Sequence, residues 1–107
     1  MQHVDFSYFN LSGHEIKVTD ISGLPSAATP GYLVAVPDDT NQLNEVSAHL
    51  YESVQIADTM KIVWDENGVS REFKAKRDDL SIPSRLHSGK VRFTYLGDGK
   101  WRIRFTR

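Results

Sequence analysis

Lys90, Arg92, Arg102 and Arg104 are the residues of this chain whose types and spacing come nearest to a binding site. They interleave with two runs of alternating apolar residues, Val91-Phe93-Tyr95 and Trp101-Ile103-Phe105, on either side of Gly97-Asp98-Gly99. Successive side chains of a strand point to opposite faces, so the length of the turn decides which residues meet across the pair. A two-residue Asp98-Gly99 loop sets Tyr95 against Arg102. A three-residue loop over Gly97 to Gly99 instead sets Tyr95 against Trp101, Phe93 against Ile103 and Val91 against Phe105. That register hides all six apolar side chains on one face and gives Gly99 the left-handed position of a bulged turn. Lys90, Arg92, Thr94, Arg102 and Arg104 then share the other face, with Arg92 across from Arg104. Opposed arginines repel, so an acidic group is expected nearby. Such a fork of guanidinium groups suits an anion, a phosphate-bearing ligand or an acidic protein partner. On a face with no ligand, the same cations would pair with carboxylates of a neighbouring strand or guard a sheet edge against aggregation.

Parity disfavours a different use of the same residues. Single-stranded nucleic acid is bound by rings and charges exposed together, and here the alternation puts Phe93, Tyr95, Trp101 and Phe105 on the face opposite the arginines. His3, His14, His49 and His87 are scattered, with no two spaced as metal ligands on one strand or helical turn, so no metal site is expected. Asp38-Asp39, Asp78-Asp79 and Asp65-Glu66-Asn67-Gly68 lack the ligand order of a calcium loop and read as turns. Asp78 and Asp79 are adjacent, so on a strand they would face opposite ways and cannot form an acid/base dyad. Neither a nucleophile-elbow serine, nor a glycine-rich phosphate loop, nor any cofactor motif occurs. The chain has no cysteine, which excludes disulfides, thiolate catalysis, iron–sulfur clusters and cysteine-ligated zinc. Asn10-Leu11-Ser12 matches the glycosylation sequon and equally fits a turn.

The elements that must position these groups are mostly strands. Val4, Phe6 and Tyr8 alternate with polar residues, as do Ile16 and Val18, and a short Leu11 to Gly13 loop predicts a hairpin with Tyr8 opposite Ile16 and Phe6 opposite Val18. Gly23 to Gly31 reads as a loop, and Tyr32 to Val36 as a short strand. Over Thr40 to Val54 the spacing of Leu43, Val46, Leu50, Tyr51 and Val54 predicts a short helix that packs on the sheet, with strand propensity at Val46, Tyr51 and Val54 competing. Met60, Ile62 and Trp64 lead into Asn67-Gly68, the strongest short hairpin signal. As a two-residue turn it sets Trp64 opposite Arg71, Ile62 opposite Phe73 and Met60 opposite Ala75, with the Arg71 guanidinium across the indole. Asp78 to Gly89 reads as a polar loop around Pro83.

With 107 residues, 39% hydrophobic and 25% charged, the chain reads as one folded domain spanning 1–107. A net charge of −1 disfavours a protein that wraps duplex nucleic acid. No apolar run is long enough to span a bilayer. Six or seven short strands with regular turns predict a mainly β, antiparallel sandwich. On Ile62-Val63-Trp64, the Asn67-Gly68 turn and Val91 to Phe105, the chain resembles the immunoglobulin- or fibronectin-like sandwiches of small bacterial exported proteins and lipoproteins, though it lacks the cysteine pair of antibody domains. That resemblance implies a periplasmic or exported setting, and a strand pattern beginning by Val4 is what a trimmed export signal would leave. Fold likeness confers no function. The leading expectation is a non-enzymatic binding or structural module using the Lys90, Arg92, Arg102 and Arg104 face, without a cofactor. The alternatives are a small enzyme with a loop-built site around His14, His87, Asp78 and Ser81, or a subunit joined through a sheet edge.

Overall fold

Asn67 and Gly68 both adopt the left-handed backbone, at φ 52° and 76°, the pair of conformations that a two-residue hairpin turn requires. They join the strands Thr59–Glu66 and Val69–Lys76, and the register is the expected one, with Trp64 on Arg71, Ile62 on Phe73 and Met60 on Ala75. The last hairpin, Gly89–Gly97 with Lys100–Thr106, likewise pairs Tyr95 with Trp101, Phe93 with Ile103 and Val91 with Phe105. Its turn differs in detail from the expectation. Asp98 and Gly99 form a two-residue turn at φ 53° and 75°, Gly97 pairs with Lys100, and a register shift beside Lys100 leaves Leu96 as the extra residue. The bulge restores the parity that a two-residue turn alone would break, so the apolar residues stay together.

The computed structural model describes residues 3–24, 30–33 and 46–106. Among the described residues the strands, in chain order, are β1 (Val4–Asn10), β2 (Ile16–Ser22), β3 (Gly31–Leu33), β4 (Val46–Leu50), β5 (Val54–Gln55), β6 (Thr59–Glu66), β7 (Val69–Lys76), β8 (Arg85–Leu86), β9 (Gly89–Gly97) and β10 (Lys100–Thr106), with a short 3-10 turn at Arg77–Leu80. The protein is a mainly β, sandwich-like fold. One sheet has the order β10-β9-β1-β4 and the other β3-β2-β6-β7, while β5 and β8 form a two-stranded ribbon. Most pairs are antiparallel, but β1 runs parallel to β9. Among the described residues, no helix is long and apolar enough to cross a membrane.

Two expectations are corrected. β1 and β2 do not form a hairpin: β1 pairs with β4 and β9, β2 pairs with β3 and β6, and the Leu11 to Gly13 turn carries the chain from one sheet to the other. Phe6, Tyr8, Ile16 and Val18 are nevertheless all buried, because alternation fixes the buried face and not the neighbour. Tyr8 stacks on Phe93 of β9, with ring centroids 4.9 Å apart and planes 11° from parallel. The predicted helix over 40–54 gives way to strand β4 at 46–50 and β5 at 54–55, while 40–45 lie outside the described residues. β4 pairs with β1 along its whole length, from Val46 opposite Tyr8 to Leu50 opposite Val4, and Val46 and Val54 favour strands in any case. Of the strand expected over 32–36, the described part lies in β3, and 34–36 fall outside the described residues. The loop from Asp78 to Gly89 is less polar than its composition, since Ile82 and Leu86 are buried in the core.

Both sheets contribute to one core. Trp64 of β6 lies 5.3 Å from the Tyr95 ring and 5.6 Å from that of Trp101, so rings from facing sheets touch. Such aromatic pairs add about 0.5–1.5 kcal/mol beyond the area they bury. A carboxylate sits at the edge of this cluster. Glu66, only 6% exposed, accepts bonds at Oε1 from the Tyr95 hydroxyl, from Trp64 Nε1 at 3.1 Å and from Arg71 at 3.3 Å, and at Oε2 from His14 Nε2 at 2.5 Å. Arg71, expected across the indole ring, is thus bonded to Glu66. The Tyr95 oxygen in turn accepts the Gly99 N–H at 3.1 Å, which ties the β9–β10 turn to the same cluster. Beside it, at the end of β1, Asn10 is buried and its amide donates to the His14 carbonyl at 2.7 Å while accepting from Ser12, so its side chain braces the turn that follows.

Burial alone would push the Glu66 carboxyl up, but the bonds from Tyr95, Trp64 and His14, with the charge of His14, hold it down at about 2. Because that lies below its ordinary value of 4.5, its contribution is complete above the unfolded value and is lost as pH falls toward 2. The amount lost is on the order of 3 kcal/mol. Urea unfolding followed from pH 6 to pH 2.5 should therefore show an acid decline that Glu66→Gln largely abolishes. At neutral pH, Glu66→Gln should destabilise by about 2–4 kcal/mol and Tyr95→Phe by about 1–3 kcal/mol.

Candidate functional site

The register carries side chains of like parity from strand to strand, and on the outer face of the β10-β9-β1-β4 sheet it sets them in rows. Thr106, Lys90, Asp5 and His49 share one row; Arg104, Arg92, Ser7 and Ser47 the next; Arg102, Thr94 and Phe9 a third. Lys90, Arg92, Arg102 and Arg104 therefore lie together on the face opposite the aromatic core, and Arg92 is directly across from Arg104. Phe93 and Tyr95 are fully buried and Trp101 nearly so, so these rings are in the core and not on the basic face.

The basic face is not a bare one. Arg104 is exposed, whereas Lys90, Arg92 and Arg102 are half-buried and already engaged within the fold. Arg92 lies over the Phe9 ring, its guanidinium carbon 4.4 Å from the centroid, and Phe9, Ser7 and Thr94 are buried on this outward side. The cations flank a covered centre. The acidic neighbour expected for them is Asp5, level with Lys90, but its oxygens are shared with two histidines.

Those histidines form a cluster that sequence spacing does not reveal. His3 Nε2 lies 3.1 Å from Asp5 Oδ2, and His49 Nδ1 lies 2.5 Å from Asp5 Oδ1. Asp5 and His49 are a direct cross-strand pair of β1 and β4, and His3, just before β1, reaches Asp5 from two residues away. All three potential ligand atoms fall within 4.8 Å of one another. The only hint in the sequence is the His3-x-Asp5 spacing, because His49 comes from a segment that reads as a helix.

The remaining candidates stay apart. His14 is bonded to Glu66; Asp78 lies 3.7 Å from Arg77; Ser81, left-handed at φ 56°, caps the 3-10 turn. His87 lines a shallow hollow with Pro83, Arg85, Leu86, Ser88 and Phe105, and none of the other three borders it. Glu66 is buried and its oxygens are occupied by four donors, which suits a fixed anion better than a proton acceptor. The edge strand β7 presents Arg71, Glu72, Lys74 and Lys76, and such charge opposes edge-to-edge pairing.

Holding Arg92 against Arg104 works against stability in the isolated chain. Arg104→Gln should raise the unfolding free energy by a few tenths of a kcal/mol up to about 1 kcal/mol, more at low salt than at high salt. Urea titrations of both proteins at two ionic strengths measure it.

Compared with protein-family models, with curated proteins and with solved structures, the chain matches none.

Proposed function

We propose that this domain is a non-catalytic binding module that takes an acidic or anionic partner on the outer face of β9 and β10, through Lys90, Arg92, Arg102 and Arg104. The observation that supports this reading is the cross-strand register itself, which sets Arg92 against Arg104 on the face opposite the core, with Arg102 one row away. An exposed Arg104 beside half-buried, positioned guanidinium groups offers charge-assisted bonds to carboxylate or phosphate oxygens. Positioned groups lose less entropy on binding than free ones, which favours recognition over simple charge screening. A hairpin tied at its turn by Tyr95 and Gly99 gives those groups a rigid base.

The reading is tested by nitrogen–proton NMR of the labelled domain titrated with a short polyphosphate and, separately, with a glutamate-rich peptide. Amides of β9 and β10 should shift together and saturably, and Arg102→Ala/Arg104→Ala should weaken the response at least tenfold while leaving the rest of the spectrum unchanged. Shifts confined to other strands, or affinity unaltered in the double variant, would remove this face from consideration.

A further inference from the structure

We infer that His3, Asp5 and His49 form a binding site for one borderline divalent cation, of the Zn2+ class, on the outer face where β1 meets β4. Two imidazole nitrogens and a carboxylate oxygen are the ligand types that such ions select, whereas Ca2+ and Mg2+ favour all-oxygen sets. Two of the ligands come from adjoining strands, so the backbones of Asp5 and His49 are fixed by direct pairing before any ion arrives, and His3 immediately precedes β1. Ligand atoms around a tetrahedral zinc, at about 2.0–2.2 Å from the metal, are roughly 3.4 Å apart. The three atoms here already lie within 4.8 Å of one another, so modest rotation of exposed side chains seats an ion.

The side-chain chemistry favours exchange of a hydrogen-bonded cluster for a metal-bound one. Each Asp5 oxygen is held by one histidine, 3.1 Å from His3 and 2.5 Å from His49, so all three groups converge on one point without an ion. His3 and His49 side chains are 41% and 52% exposed and Asp5 21%, which leaves the ion an entry path and open coordination positions for water or an anion. The His3 ring meets the His49 ring edge-on at 6.0 Å and lies 5.7 Å from Tyr51, contacts that restrict its rotation. Lys90, beside Asp5 on β9, adds a positive neighbour that moderates affinity for a cation and favours an anion as the ion's outer ligand. This site is separate from the arginines of the preceding proposal and stands or falls without them.

Isothermal titration of the domain with ZnCl2, with Co2+ absorption as a second readout, tests the site. One ion should bind per chain, with Ca2+ and Mg2+ giving no heat. His49→Gln and Asp5→Asn should each weaken Zn2+ binding at least tenfold, and His87→Ala should leave it unchanged. In the unaltered protein, Zn2+ should move the imidazole signals of His3 and His49 and leave that of His87 in place, a readout that does not depend on any variant folding. Absence of binding, loss in the His3→Ala variant alone, or imidazole shifts at His14 or His87 instead would each overturn the assignment.

Discussion

A single buried carboxylate sets the terms for how the two sheets meet. Glu66 stands at the end of β6, where the chain turns into β7, and its oxygens are held by Tyr95 from the opposite sheet, by Trp64 of its own strand, by Arg71 of β7 and by His14 from the inter-sheet connection. An ionised group in so apolar a setting is tolerated only when its lone pairs are satisfied. Four elements must therefore be in register at once for this one residue to be accommodated. The same hydroxyl that donates to Glu66 receives the Gly99 amide, so the turn that orders the basic hairpin is tied to the clamp between the sheets.

The hairpin thereby combines an apolar face and a charged face whose separation depends on one residue. A two-residue turn would put arginines against the core; the bulge at Leu96 adds the residue that shifts parity back. Apolar burial decides the outcome, because six side chains of this hairpin lie on the inner face, each worth about 1.5–3 kcal/mol when fully buried. Repulsion between Arg92 and Arg104 is smaller by an order of magnitude and is carried along.

Parallel pairing of β1 with β9 has a structural consequence that hairpins alone could not produce. It brings the first described strand into the centre of a sheet built largely from the end of the chain, and it leaves the other side of β1 for β4. Asp5 of β1, His49 of β4 and His3 just before β1 thus lie on the same outer face as the arginines, with Asp5 and His49 in the row beside that of Arg92 and Arg104. Lys90 is the direct neighbour of Asp5, so the histidine cluster and the basic residues adjoin on one sheet surface, beside the buried Ser7, Phe9 and Thr94.

Local pattern in the sequence determined the strand character of most segments, the two hairpin registers and the assignment of side chains to inner and outer faces. Those follow from period-2 alternation and from Asn-Gly and Asp-Gly turns, which act over a few residues and need no distant partner. The tertiary structure alone decided which strands are neighbours. The Leu11 to Gly13 turn joins two sheets instead of two paired strands, since several pairings bury Tyr8 and Phe6 equally well. The 46–50 segment became a strand because β1 offered an unpaired side, a gain larger than the weak helical preference of its own residues. His49 is far from Asp5 along the chain, and Glu66 sits in what reads as an ordinary acidic turn. Their meeting with Asp5 and Tyr95 is a matter of contact between distant strands, and side-chain type carries no record of that.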